Sequence, residues 1–417
     1  MKVKTEALVI GGGAIGVCCA YYLWKKGVRV TLLEKDEIAA GSSYGNAGLV
    51  VPSHFIPLAS PEALRKGLKW MFAPQSPFYI KPRFDLDLIS WIWKFCQFAN
   101  KRHVNDVAPL LYELGEVSRF LYEELVQLEG MQFGFDKKGL LLLYKEEGAQ
   151  SIHAEAQIAN ELGVPIELLD IRQIKELEPN LKMEVTGGLY YPQDAHLNPA
   201  DFVCNLASFL AEQGVIFHKN TEVVGFENSD GTISQVHTTK GHFIADQVIL
   251  ASGSWSPGIV KSIPLKIPIQ PAKGYSVTIK PAKKIMSTPL LLREAKVAIT
   301  PLGERLRFAG TLELAGMDSS INQQRVQAIL HAVPGYLPEF ASENLAHAKI
   351  WAGLRPCTPD GLPYLGRAEN ISNLIVAAGH AMVGISLAPV TGLLVAQIFL
   401  NKKPAIDLHP LRVGRFS

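Results

Sequence analysis

The first 34 residues constrain the fold more than any other part of the chain. Ala7-Leu8-Val9-Ile10 is a short apolar run suited to a buried parallel strand. Gly11-Gly12-Gly13-Ala14-Ile15-Gly16 follows at once and fits G-x-G-x-x-G. The next residues, through Lys26, read as a helix that Gly27 is placed to end. Val28 to Leu33 is a second apolar strand, and Glu34 stands at its end, 23 residues after Gly11. That spacing is close to the one a ribose-binding carboxylate takes after a dinucleotide fingerprint. Gly11 permits the tight turn, Gly13 lets a pyrophosphate approach the backbone, and Gly16 lets helix and strand pack closely. The helix N-terminus offers free N–H groups and partial positive charge to phosphates. A carboxylate at Glu34 accepts from both ribose hydroxyls and repels a 2′-phosphate. The segment predicts a dinucleotide site that disfavours NADP.

An NAD-binding unit normally continues into a second helix and third strand. Here residues 39–48 (AAGSSYGNAG) are small, polar and glycine-rich instead. Their backbone amides and hydroxyls suit a cradle for a diphosphate or an isoalloxazine edge; an ordinary surface loop is the alternative. A second helix–strand unit lies far downstream. Asn198 suits a helix N-cap with Pro199 in the first turn, and Gly214 suits the C-terminus. Strands follow at residues 215–217 and 221–226, with a hairpin at Ser229-Asp230-Gly231. The apolar run 245–250 then ends in the small-residue turn Ala251-Ser252-Gly253-Ser254. Such a turn at a strand's C-terminal end suits close contact with a cofactor. The nucleotide domain is therefore expected to be assembled from separate segments.

The chain has 417 residues, enough for two or three domains and a large core. Lys and Arg outnumber Asp and Glu only by 41 to 39, which argues against a nucleic-acid partner. The first ten residues lack a signal peptide's apolar core and cleavage site, so a cytoplasmic chain is expected. The five cysteines, Cys18, Cys19, Cys96, Cys204 and Cys357, show no metal spacing and read as reduced apolar fillers. Residues 106–128 and 147–162 read as helices and residues 139–144 as a strand. Residues 56–100 are rich in Pro and aromatics, with Trp70, Trp91 and Trp93, and fit a core helix, a partner surface or a membrane-interface patch. Residues 374–400 contain no Asp, Glu, Lys or Arg and are long enough to span a bilayer. They divide better into a buried strand at 374–378, a turn at 379–384, and a helix from Ile385 with Pro389 near its first turn.

Further motifs complete the set. They are Lys273-Gly274-Tyr275-Ser276, Gly353-Leu354-Arg355-Pro356, Pro359-Asp360-Gly361, Gly379-His380 and the closing Gly414-Arg415-Phe416-Ser417. With the fingerprint, Glu34 and Asn46-Ala47-Gly48, they resemble the D-amino acid oxidase superfamily of flavoproteins. Within it the chain is most similar to the D-amino acid dehydrogenase and glycine oxidase branch. The resemblance implies an α/β fold, α+β in part: a Rossmann-like FAD-binding domain beside a substrate domain built on an antiparallel sheet. The division expected is 1–55, 195–260 and 350–417 for FAD, and 56–194 and 261–349 for substrate. The expected FAD set is Gly11, Gly13, Ala14, Ile15, Gly16, Glu34, Lys35, Ser42, Ser43, Asn46, Ala47 and Gly48. To it are added Val223, Val224, Ala251, Gly253, Gly379, His380, Val383, Gly384, Ile385 and Ser386.

Arg355 matches the arginine that grips the substrate carboxylate in the family's GLRP motif, and a guanidinium can hold a carboxylate bidentately. A structural Arg355–Asp360 pair is the alternative. Tyr275 is expected to line the pocket or the core, and His54 to reach the pocket. Met382 and, by an approximate alignment, Val297 stand where glycine oxidases carry an arginine and a tyrosine. Both changes favour an aliphatic or cyclic D-amino acid, D-proline among them.

The implied reaction is oxidation of a D-amino acid to the imino acid, with a helix N-terminus near residues 383–386 stabilising the reduced flavin. Electrons would pass to a quinone or dye-like acceptor. Two readings within the fold stay open: an oxidase that makes peroxide from O₂, and a flavin-binding subunit of a larger complex. An NAD-dependent dehydrogenase is the rival of another class, and it leaves residues 351–384 unexplained. The sequence leaves oligomeric state and peripheral membrane contact open.

Overall fold

The computed structural model describes residues 2–70, 76–281, 286–342 and 348–416. The side chain of Trp70 and residue Ser417, both singled out above, lie outside the described residues. Two large sheets organise the chain. In the first, Lys2–Ile10 runs parallel to Val30–Leu33 on one side and to Gly241–Leu250 on the other. Ile216–His218 and Leu374–Ala378 extend this parallel block, and an antiparallel meander of Val223–Ser229 and Thr232–Thr238 flanks it. Tyr364–Arg367 closes it as an antiparallel edge. Chain segments far apart in sequence thus meet beside the first strand, as the fingerprint and the run at 245–250 imply. The hairpin turns at Asp230 and Gly231, both at positive φ, 50° and 72°.

The helix Ala14–Trp24 is buried almost all round. It packs against Ala388–Phe399, where a Cβ on Gly392 would come within 2.5 Å of the Cys18 carbonyl oxygen. A helix enclosed on every side loses its polar face, which accounts for the uncharged stretch. No helix among the described residues is long and apolar enough to cross a membrane. The helix begins at Ala388, not at Ile385; residues 383–387 form turns before it. Pro389 sits in the first turn, where its missing N–H costs nothing, and this fixes the start.

The second sheet has nine strands and is mostly antiparallel. Its order runs Lys349–Cys357, Gln270–Ile279, Arg305–Leu314, Val297–Leu302, Leu290–Leu292, Leu140–Tyr144, Gly187–Tyr191, Glu167–Leu169. Phe78–Ile80 pairs alongside Arg305–Leu314. Alternation assigns the faces. Tyr275, Val277, Val297, Ile299 and Phe308 share a back-face core with Val326 and Ile329 of the helix Gln323–Ala332. The front face carries Gly274, Ala298, Ala309, Gly353 and Arg355 and looks onto a cavity.

Residues 86–98 form a helix, Leu86–Phe98, whose Asp85 cap accepts from the Leu88 amide at 3.0 Å. Trp91 is buried and donates its indole N–H to the Cys357 carbonyl at 2.9 Å. Trp93, on the other face, is exposed.

Candidate active site

Two cavities meet between the sheets. The smaller, of about 410 Å³, lies at the C-terminal ends of the parallel strands of the first sheet. Ile10, Gly11, Gly13, Ala14, Ile15, Leu33, Glu34 and Lys35 line it, with Ser42, Ser43 and Asn46 from the small-residue loop. Val223, Val224, Ala251, Gly253, Gly379, His380, Gly384 and Ile385 complete the expected part of the wall. Gly11 has φ of 115°, and a Cβ there would come within 2.5 Å of the Ala251 carbonyl oxygen. A Cβ on Gly16 would overlap the Gly11 carbonyl oxygen, so that glycine serves helix–strand contact rather than the wall. No side chain of the cap position closes the start of the helix at Gly13, although the Ala14 amide donates to Ser43 Oγ at 3.0 Å.

Glu34 Oε2 accepts from the Gly12 amide at 2.6 Å and Oε1 from the Asp36 amide at 2.9 Å. Each carboxylate oxygen keeps further lone-pair capacity for a ribose hydroxyl. A glycine-walled cleft at a helix start, a carboxylate at its rim and a hydroxyl-rich loop above it fit FAD. Five expected positions lie elsewhere. Gly16 packs as described, Ala47 and Val383 line the other cavity, and Gly48 and Ser386 line neither. Gly48 has φ of 81° and would press a Cβ onto the Leu197 carbonyl. Ser386 Oγ accepts from the Val51 amide at 2.9 Å. The wall also includes Ser252, from the small-residue turn after residues 245–250, and Trp255 and Thr221, which were not among the expected residues. Because the last helix starts at Ala388, the segment expected to face the flavin with a helix N-terminus is a turn.

His380 is buried and shares a hydrogen bond of 3.0 Å with Thr391 Oγ1. Burial pushes its pKa down to about 3, so it stays neutral.

The larger cavity, of about 540 Å³, shares Ser42, Asn46 and Ala381 with the smaller one. Arg355 reaches into it from the front face of the second sheet. Its Nη1 donates to the Thr311 carbonyl at 2.6 Å. Its Nε and Nη2 have no acceptor among the described residues, and no carboxylate there pairs with it. Burial lowers its pKa from the usual arginine value, with only Cys357 opposing. The alternative pair with Asp360 is overturned: Asp360 is clamped by Arg415, at 2.6 Å and 3.1 Å. Room for the guanidinium comes from Gly274, where a Cβ would overlap it. Opposite Gly274 the register shifts, so that Thr311 and Leu312 face one residue. Thr311 sits there at φ of 66°, unusual for a β-branched residue. This bulge brings the Thr311 carbonyl to Arg355.

Tyr275 does not present its hydroxyl to the cavity. Its ring lies on the back face, and the hydroxyl donates to Glu313 Oε2 at 2.7 Å. Burial and that carboxylate raise its pKa. Tyr275 is nonetheless among the residues that line the cavity. Val297 also points to the back-face core; its neighbour Ala298 lines the cavity. A one-residue difference in register moves a strand side chain to the other face. Met382 and His54 do line the cavity.

The small-residue loop is fastened to the second sheet. Arg307 Nη1 donates to the carbonyls of Tyr44, at 3.2 Å, and Asn46, at 2.7 Å. Ser42 Oγ donates to the Leu354 carbonyl, and Gly45 lies flush against Trp351.

The DAO family model, described as FAD dependent oxidoreductase, matches residues 6–398. A D-amino acid dehydrogenase of Granulibacter bethesdensis is 33% identical, over 99% of this chain and all of that protein. The crystal structure of glycine oxidase from Geobacillus kaustophilus superposes with a TM-score of 0.81 at 27% identity, covering 99% of each chain. That of L-proline dehydrogenase from P. horikoshii gives 0.77 at 24% identity, covering 100% of this chain and 98% of that one, a likeness of fold.

Proposed function

The chain belongs to the DAO family of FAD-dependent oxidoreductases, and from that premise we propose that it oxidises D-amino acids to imino acids and passes the electrons to an acceptor other than O₂. The observation that carries the reading is Arg355. It is a guanidinium facing a cavity contiguous with the dinucleotide cleft, with two nitrogens uncommitted and no internal carboxylate. A fork of this kind binds an α-carboxylate in two parallel hydrogen bonds and fixes the Cα. Bound FAD supplies a two-electron acceptor for the hydride lost from Cα.

Arg355 holds one end of the substrate, and the apolar walls at Ala298, Ala309, Leu142 and Leu291 enclose the side chain. Water excluded from such walls strengthens the carboxylate–guanidinium attraction. The amine gives up its proton to solvent before it enters, so that its lone pair assists loss of the hydride. The imine leaves and reacts with water to give the 2-oxo acid and ammonia; a cyclic substrate gives a cyclic imine.

We place the FAD domain at 1–55, 195–260 and 350–417 and the substrate domain at 56–194 and 261–349, noting that Lys349–Cys357 pairs in the second sheet. The five unpaired cysteines agree with a reducing, cytoplasmic setting.

Anaerobic titration with a panel of D- and L-amino acids tests the proposal. D-amino acids should bleach the flavin band and their L-enantiomers should not; no bleaching by any D-amino acid rejects it. The likeness to glycine oxidase favours a second reading, an oxidase that makes peroxide. Turnover with O₂ against turnover with a dye under nitrogen separates the two.

A further inference from the structure

The larger cavity is much longer than a small amino acid needs. Arg355 lies on the strand Lys349–Cys357, and Arg293 follows the strand Leu290–Leu292, four strands further along the sheet. At roughly 4.8 Å per strand the floor runs on the order of 15–20 Å. The middle of that floor is apolar, with Ala298, Ala309, Leu142 and Leu291. Its far end is polar, and its lining includes His54, Glu155, Arg293, Glu62 and Lys296.

The charges at that end are largely spent on one another. Arg293 reaches Glu155 at 2.7 Å, Glu62 at 3.0 Å and Ser151 Oγ at 3.2 Å, so all three of its nitrogens are engaged. Glu155 also accepts from the Tyr191 hydroxyl at 2.9 Å. His54 differs. Its ring nitrogens make no hydrogen bond among the described residues, yet the ring borders the cavity. Burial lowers its pKa, and Lys296 and Arg293 add to that against the pull of Glu155. A neutral imidazole offers one donor and one acceptor.

We propose that this end is a second recognition subsite, in which His54 reads an uncharged hydrogen-bonding group, a carboxamide or ureide, at the tip of a long substrate side chain. The inference rests on the reading that Arg355 holds the α-carboxylate of a D-amino acid, and it narrows the substrate class. An aliphatic stem lies over Ala298, Ala309, Leu142 and Leu291, and the tip exchanges hydrogen bonds with His54. His54 is here a specificity residue and takes no part in hydride transfer. A charged tip would meet Arg293 or Glu155 already paired, and would disturb a buried pair rather than join it.

The test uses the flavin-loaded enzyme with D-glutamine, D-citrulline, D-norleucine, D-glutamate and D-lysine. The quantity read is kcat/KM for each polar substrate relative to D-norleucine, so partial loss of folded enzyme cancels. The wild-type enzyme should favour D-glutamine or D-citrulline by about tenfold, the worth of one to two satisfied neutral hydrogen bonds. His54→Leu should abolish that preference, and His54→Gln should restore part of it. An unchanged ratio in His54→Leu, or a preference for D-norleucine, D-glutamate or D-lysine over both amides, overturns the subsite and leaves the D-amino acid reading standing. If none of the five reduces the flavin, nor D-alanine, both fall.

Discussion

Two neighbours set the place of Arg355: Gly274 leaves room for the guanidinium, and Thr311 turns a carbonyl toward it. Asp360, the acid that follows the GLRP segment, is held by Arg415 instead. Removing the Arg355 cation should cost what a desolvated carboxylate partner normally costs, about 2–5 kcal/mol. Arg355→Ala is therefore expected to stay yellow while kcat/KM for a D-amino acid falls by about a hundredfold or more, chiefly through KM. An unchanged KM rejects the assignment. Gly274→Ala should act on the same step from behind, since its methyl group displaces the guanidinium. Stopped-flow reduction of the flavin should slow at subsaturating substrate while FAD content stays at the wild-type level; wild-type kinetics would show that the guanidinium has another resting place. Arg355 could be singled out in the sequence because the Gly353-Leu354-Arg355-Pro356 run resembles a family motif, and such a match fixes a position along the chain. The Tyr275 side chain could not be placed that way, since strand register decides which face it takes.

Two elements carry the site, and each is shaped by what it touches across the interface. Residues 42–46 have the composition of a surface loop, yet Arg307, Ser42 and Trp351 fasten them to the second sheet. Arg307 is buried, with Nε on Thr278 Oγ1 at 3.1 Å, and burial pushes its pKa down to about 10. It acts on the cofactor only by positioning the loop. Arg307→Met leaves the two carbonyls of Tyr44 and Asn46 without that donor, at a cost of about 1–3 kcal/mol. The flavin-to-protein absorbance ratio after gel filtration should drop, and a ratio equal to wild type would mean the loop is held without it. The sequence left the segment of Leu86–Phe98 open between a core helix, a partner surface and a membrane-interface patch, and its division into a buried Trp91 and an exposed Trp93 was not legible. An apolar helix does not state which side meets the protein until its partner, the Cys357 strand, is in place.

At the scale of the molecule, a small third sheet of two strands lies apart from the two large ones, and a buried acid stands at its edge. Asp194 precedes the short strand Ala195–His196, which pairs with Leu49–Val50. Its carboxyl group accepts from the Ser53 amide at 3.2 Å and from the Ser53 hydroxyl, and among the described residues no cation pairs with it. Burial raises its pKa to about 8, from 3.8 when free. The folded chain therefore binds a proton at Asp194 that the unfolded chain has released over that interval. Its contribution to stability is full below about pH 4 and is lost as pH rises toward about 8, on the order of a few kcal/mol. Asp194→Asn, which can keep both contacts to Ser53, should remove this component. Melting temperatures from pH 5 to pH 9 should decline less steeply in the variant; parallel curves would refute the assignment of the slope to Asp194.

The sequence by itself determined the dinucleotide cleft and its acid at Glu34. Each is written in local spacing, where a turn, a helix start and a charge lie within reach of one another along the chain. The tertiary structure alone decided which face of a strand meets the cavity, what satisfies Asp360 and how the loop at 42–46 is pinned. Those outcomes depend on register and on partners tens to hundreds of residues away, and no local pattern encodes either.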